Sequence, residues 1–143
     1  MPYIRIWIHA VWATKKRFPY LTKDVRYQIF QHIRENAKNK NIHLDHINGH
    51  LEHVHCLISM DATHNIASII QLLKGESSFW INKNKLTEKY FGWQDEYFAG
   101  SVSHSQINAV RRYIQNQEKH HANKTFEDEY QKFIKKYGFE IFI

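Results

Sequence analysis

A single cysteine, Cys56, stands in the 143-residue chain, so no internal disulfide can form, and a reducing compartment is its natural setting. Its place in an apolar run marks it as a buried structural thiol rather than a reactive one. Proline and glycine are also scarce, at two and five residues, and no Ser- or Pro-rich linker, internal repeat or low-complexity stretch interrupts the sequence. One domain spanning residues 1–143 is therefore expected, long enough to bury a core without disulfides or a structural metal. Long hydrophobic runs are missing too. Nothing approaches the ~20 apolar residues of a membrane helix, and residues 1–14 alternate without a basic leader or a small-residue cleavage site, which argues against a signal peptide. The expectation is a soluble, cytoplasmic protein. Acidic residues number 14 against 20 basic ones, a formal net charge of +6. That imbalance favours a polyanionic partner without identifying it.

What the chain does have is hydrophobic patterning with two clear periods. Over residues 3–12, Ile4, Ile6, Ile8 and Ala10 face one way and Tyr3, Arg5, Trp7 and His9 the other, the alternation of a strand. Thr22 reads as an N-cap for a helix carrying Arg26, Ile29, Phe30, Ile33 and Ala37 on one side, stopped by the Asn/Lys-rich residues 38–41. His43 to Asn48 is a short strand, Gly49-His50 a turn, and Glu52 to Met60 a strand with Val54, Cys56, Ile58 and Met60 on its apolar side. A second helix starts near Asn65 with Ile66, Ile69, Ile70 and Leu73 as its stripe and runs through Trp80. Residues 84–96 read as a connection, Tyr97 to Val102 as a fourth strand, Gln106 to His121 as a third helix, and Glu127 to Tyr137 as a fourth before a short apolar tail. The order β-α-β-β-α-β with added C-terminal helices predicts an α+β, ferredoxin-like split βαβ sheet. Its first and third strands would be central neighbours, with Arg5, Trp7 and His9 on the same face as His53 and His55. Helices after strands one and three would cover the Ile-rich face, leaving the histidine face to something else.

The histidines are abundant, 11 in all, so roughly one His-x-His is expected by chance. His53-Val54-His55 gains weight from its setting. Residues i and i+2 of a strand lie ~6.5–7 Å apart on one side, close enough for two imidazoles to share an ion. In the third helix Tyr113 and Gln117 are i, i+4 neighbours, so a phenol and an amide oxygen point to the same place. Two neutral imidazoles and an amide oxygen would leave a divalent ion's full charge for a phosphate, and such mixed ligation suits Mn²⁺ or Mg²⁺ as well as zinc. His121, one turn beyond Gln117, is a substitute ligand; His46 and His50 read as surface residues. Basic residues with aromatics close by, Lys15-Lys16-Arg17 before Phe18 and Tyr20, make a loop able to grip phosphates and stack unpaired bases. Arg5, Lys74, Arg111 and Arg112 are further DNA-contact candidates from charge and placement, although Lys74-Gly75-Glu76-Ser77-Ser78 lacks the spacing of a P-loop.

Four segments together, Glu52-His53-Val54-His55-Cys56-Leu57-Ile58, Lys74-Gly75-Glu76-Ser77-Ser78, Trp93-Gln94-Asp95-Glu96-Tyr97 and the run from Tyr113 to His121, resemble the single-tyrosine HUH transposases. These are small transposases of insertion sequences that move as single-stranded DNA, with relatives associated with repetitive extragenic palindromes. The resemblance implies a homodimer that recognises single-stranded DNA hairpins and cleaves one strand with Mg²⁺ or Mn²⁺ and no organic cofactor. It implies Tyr113 as the nucleophile of a 5′-phosphotyrosine link, His53, His55 and Gln117 as metal ligands, and a tyrosine helix that often completes the partner's site. Two other readings compete: a non-catalytic hairpin-binding module, which would be indifferent to chelators, and a metal hydrolase of small phosphoesters, disfavoured by the lack of an Asp/Glu-rich motif near the histidines.

Overall fold

The computed structural model describes residues 2–137. Along the chain come β1 (Ile6–Thr14), α1 (Lys23–Asn39), β2 (His43–Gly49), β3 (His53–Met60), α2 (Ile66–Lys83), β4 (Trp93–Val102), α3 (Ile107–Gln115), α4 (Gln117–His121) and α5 (Phe126–Lys136). The strands form one sheet in the order β2-β3-β1-β4, every neighbouring pair antiparallel. This is the ferredoxin-like arrangement, with the two parts of the split βαβ placing β1 and β3 at the centre.

Strand parity divides the sheet into two faces. Ala10 and Trp12 of β1 and Val54, Cys56, Ile58 and Met60 of β3 face α1 and α2, where they meet Ile29, Phe30, Ile33, Ile69, Ile70 and Leu73 in the main core. Each of those large aliphatic side chains is worth ~1.5–3 kcal/mol when fully buried. The apolar stripes read from the sequence are buried, Arg26 included, except that Ile66 at the start of α2 is only partly covered. Asn65 caps α2, its Oδ1 accepting from Ser68 N at 2.9 Å. Cys56 is fully buried, and burial pushes its thiol well above the ordinary range, as expected of a structural cysteine.

The opposite face is covered by α3 and α5. Trp7, Leu57 and Val102 meet Ile107 and Ile114 of α3, while Val11, Ala13 and Phe98 meet Phe126, Tyr130 and Phe133 of α5. The covering left open by the sequence is thus supplied by the same chain.

Several boundaries depart from expectation. β1 begins at Ile6 rather than residue 3, because β3 ends at Met60, the partner of Ile6, and Tyr3 to Arg5 overrun it. β4 begins at Trp93, since Trp93 already pairs with Thr14 beyond an irregularity in the ladder. The expected third helix breaks at Asn116 into α3 and α4. The Asn48 side-chain amide donates to the carbonyls of Ile114 (2.9 Å) and Gln115 (3.2 Å), which draws them off the helical ladder. The last helix runs from Phe126 to Lys136, and the apolar tail falls outside the described residues. Among the described residues no helix is long and apolar enough to cross a membrane.

Candidate active site

His53 and His55 sit on β3 opposite its core-facing residues, both fully buried beneath α3, α4 and α5. Each has its Nδ1 occupied. His53 Nδ1 lies 2.8 Å from Glu52 Oε1, and His55 Nδ1 lies 2.9 Å from His9 Nε2 on the neighbouring β1. His121 Nδ1 lies 2.8 Å from the Lys124 carbonyl. A carbonyl and a carboxylate can only accept, so His53 and His121 donate from Nδ1 and turn Nε2 inward. His55 Nε2 faces the Glu129 carboxylate, which can only accept, so this neutral imidazole carries its proton on Nε2 and His9 Nε2–H donates to its Nδ1. An oriented imidazole with its outer nitrogen hydrogen-bonded is the usual support of a metal ligand.

The inward nitrogens converge on Glu129 of α5. Its Oε1 lies 3.0 Å from His55 Nε2, 3.3 Å from His121 Nε2 and 3.4 Å from His53 Nε2. The buried Gln117 adds its Oε1, 3.1 Å from both His53 Nε2 and His121 Nε2. Ligand atoms of His53, His55, His121 and Glu129 all fall within 4.8 Å of one another. Three imidazole nitrogens, a carboxylate oxygen and an amide oxygen gathered this closely form a donor set that fits a divalent cation.

Tyr113 joins the cluster from α3. Its hydroxyl donates to Glu129 Oε2, and its oxygen lies 3.4 Å from His120 Nε2. Its carbonyl accepts from Gln117 Nε2 at 3.3 Å, so the i, i+4 pair spans the break at Asn116. Nucleophile candidate and ligand set therefore meet in one chain.

The electrostatics follow from burial and from this crowding. Burial, reinforced by His55, pulls His9 down to about 3, and burial pulls His55 down to about 4 against the opposing pull of Glu129. Burial alone would raise Glu129, but hydrogen bonds from His121 and His55 outweigh it and hold the carboxyl well below the usual range. Burial also raises Tyr113, with the Glu129 charge and hydrogen bond adding to it, so the resting side chain is a phenol.

Residues 3–117 match the family described as IS200-like transposases, most of the chain. The chain belongs to that family. The transposase also resembles two solved structures. One is a candidate transposase from Deinococcus radiodurans R1, with a TM-score of 0.63 and 24% identity, covering 81% of this chain and 93% of that one. The other is a REP-associated tyrosine transposase bound to a REP hairpin, with a TM-score of 0.61 and 18% identity, covering 85% of this chain and 72% of that one. At these identities the likeness speaks to fold. Comparison with curated proteins gave no match.

The basic candidates of this transposase separate into two sets. Lys15, Lys16 and Arg17 form an exposed 3-10 turn after β1 in which Lys16 and Arg17 adopt positive φ, 57° and 54°. Lys16 and Arg17 help line a cavity of about 270 Å³ with Gln94, Glu96, Phe126 and Tyr130. Arg17 is already paired with Glu127 of α5 and sits over the Phe126 ring. Arg5 and Arg112 are exposed. Lys74 and Arg111 are engaged internally. Lys74 Nζ donates to the Gln94 and Asp95 carbonyls, tying α2 to β4. Arg111 makes a two-pronged contact with Asp45, 2.9 and 2.8 Å, tying α3 to β2.

Two members of the cluster escaped the sequence reading, and each left a trace. Glu129 lies among Phe126, Tyr130 and Phe133 on the buried stripe of α5, and a charged residue inside an apolar stripe is the mark of a buried functional group. His9 was placed on the histidine face, but nothing in its spacing distinguished a residue that orients His55. His46 and His50, read as surface residues, are partly buried, His46 against Asp45 and Gln115 and His50 stacked on His121 with 5.3 Å between ring centroids.

Proposed function

We propose that this transposase cleaves and rejoins single-stranded DNA at hairpin-flanked sites, with Tyr113 as nucleophile and His53, His55 and Gln117 as ligands of Mg²⁺ or Mn²⁺. The observation that carries the reading is the meeting of the Tyr113 hydroxyl, the His-x-His pair and the Gln117 oxygen on one buried face of a family member. In this reading the Tyr113 oxygen attacks the phosphorus in line, the P–O3′ bond breaks, and the DNA 5′ end stays on the enzyme as a phosphotyrosine. The departing 3′ oxygen leaves as a hydroxyl, gaining a proton equivalent to the one the phenol gives up. Attack by that hydroxyl on the phosphotyrosine reverses the step and rejoins strands without external energy. A divalent ion held by these ligands would supply Lewis-acid polarisation of the phosphate.

The reading takes residues 1–143 as one domain acting on DNA in the cytoplasm. Its DNA contacts would come from Lys15, Lys16 and Arg17 with Arg5 and Arg112, the exposed set, more readily than from Lys74 and Arg111. The protein is read as a homodimer in which each chain closes its own site, supported by the cis contacts of Tyr113 and Gln117. A hairpin substrate is supported by the relative bound to one.

The test is incubation with single-stranded DNA hairpins from the gene's own flanks, with and without Mn²⁺ or Mg²⁺, scoring covalent protein–DNA adduct by denaturing electrophoresis. Wild-type protein should form an adduct only with metal, and Tyr113→Phe should form none. An adduct that persists in Tyr113→Phe sinks the assignment, and chelator-indifferent binding without adduct favours a binding module instead.

A further inference from the structure

The ligands proposed on β3 and α4 are His and Gln side chains, yet the same cluster contains a buried carboxylate from α5. Glu129 is 2% exposed. Burying an ion so completely is costly unless every lone pair is engaged, and here the two oxygens are engaged differently. Oε1 faces the inward Nε2 atoms of His55, His121 and His53 at 3.0, 3.3 and 3.4 Å. Oε2 accepts from the Tyr113 hydroxyl and lies 3.2 Å from His120 Nε2. One carboxyl group therefore has an edge toward the ligand nitrogens and an edge toward the nucleophile.

The helix that delivers it is well fixed. Thr125 caps α5, accepting from Asp128 N at 3.2 Å, and Phe126, Tyr130 and Phe133 pack against Val11, Ala13 and Phe98 of the sheet. Arg17 clamps the first turn through Glu127 and the Phe126 ring. A carboxylate on so anchored an element cannot swing out at low cost.

We infer that Glu129 is a two-sided residue of this site, completing the divalent-ion ligand set through Oε1 and positioning the Tyr113 hydroxyl through Oε2. The inference rests on the transposase reading above and extends it to α5. It makes ion affinity and nucleophile placement two consequences of one side chain, and it supplies the negative charge that the neutral His and Gln ligands lack. Ligand charge is a main determinant of affinity at oxygen-rich divalent sites.

The test compares wild type, Glu129→Ala and Glu129→Gln. Mn²⁺ binding is measured by calorimetry on the DNA-free protein, and adduct formation is timed at saturating Mn²⁺ on a fixed hairpin. Both variants should bind Mn²⁺ at least tenfold more weakly, because neither has a charged oxygen to offer. At saturating Mn²⁺, Glu129→Gln should recover most of the adduct rate, its amide oxygen accepting from Tyr113, while Glu129→Ala stays at least tenfold slow. Hairpin affinity without metal and near-ultraviolet circular dichroism should match wild type in both. Mn²⁺ affinity within twofold of wild type in either variant overturns the ligand role. An adduct rate for Glu129→Ala equal to or above wild type overturns the positioning role. Should Glu129→Ala fail to fold, Glu129→Gln decides the metal arm and Glu129→Met, which fills the same space without an acceptor for Tyr113, takes the place of Glu129→Ala in the adduct arm. A wild-type protein that makes no adduct refutes the transposase reading, whereas wild-type activity matched by both variants refutes this inference only.

Discussion

His9 offers a sharp test because it touches a proposed ligand without being one. It is 4% exposed, and its Nε2 donates to His55 Nδ1 at 2.9 Å, with the two rings stacked at 5.1 Å. The rings of Phe133, Tyr113 and Phe98 surround it edge-on at 5.3, 6.1 and 6.4 Å. Replacing His9 by Phe keeps an aromatic ring in that pocket but removes the donor. The buried His55 Nδ1 is then left without a partner, at a cost of ~1–3 kcal/mol in stability. The imidazole also loses the bond that holds its orientation. Loss of such an outer partner typically weakens metal binding ~10–100-fold, or ~1.4–2.8 kcal/mol. Calorimetry with Mn²⁺ reads the second quantity and urea denaturation of the metal-free protein reads the first. Hairpin binding without metal serves as the control and should not change. A His9→Phe protein that binds Mn²⁺ as tightly as wild type would show that His55 is oriented by something other than its bonded Nδ1.

Three further outcomes follow from the same geometry. His9 and His55 stay neutral in the fold down to about 3 and about 4, while the unfolded chain protonates them near 6.5. Because the unfolded state then binds more protons, metal-free stability should fall as pH drops below 6.5, with each histidine contributing a slope of ~1.4 kcal/mol per pH unit. His121, whose value is raised because its bonds to Glu129 outweigh burial, acts oppositely and loses its contribution as pH rises, so the clean readout is the shallower slope of His9→Phe between pH 6 and 4. Asn48→Ala should cost about 1 kcal/mol and slow adduct formation without changing Mn²⁺ affinity, since it releases the end of the tyrosine helix; an unchanged rate would mean the other α3 contacts suffice. Gly49→Ala would place a Cβ 2.1 Å from the His53 carbonyl oxygen, so it should destabilise the β2–β3 hairpin by on the order of 3 kcal/mol and weaken Mn²⁺ binding by moving His53. Crystals of that variant showing β3 unmoved would refute the steric account.

The sheet and its first two helices were legible because hydrophobic period is a local signal. Val54, Cys56, Ile58 and Met60 announce their face by alternation, and Ile29, Phe30 and Ile33 by helical spacing. The pairing of β1 with β3 then followed from the order of elements, and with it the grouping of His9, His53 and His55. What escaped were effects set across the sheet. The start of β1 depends on where β3 ends, and the break at Asn116 depends on an Asn48 side chain 68 positions away in sequence. Charge alone does not reveal that Lys74 and Arg111 have partners within the fold, the backbone carbonyls of β4 and Asp45 of β2. Glu129 is the instructive case. A window centred on the His-x-His pair contains Glu52, which meets only the outer nitrogen of His53, and Glu129 reaches the inner nitrogens only because α5 folds back across β1 and β4.

Alternation along β3 also sets a constraint on how the chain can misfold. With a side-chain period of two, a one-residue slip against β1 would carry His53 and His55 into the aliphatic layer and turn Val54 and Cys56 toward Tyr113 and Glu129. The penalty for that slip is paid mostly on the other side of the sheet, where Ile58 and Met60 would be torn from α1 and α2. The alignment of the polar cluster is thus enforced by residues that never touch it. Sequence drift among the aliphatic positions should be tolerated as long as their total volume holds the ladder in place.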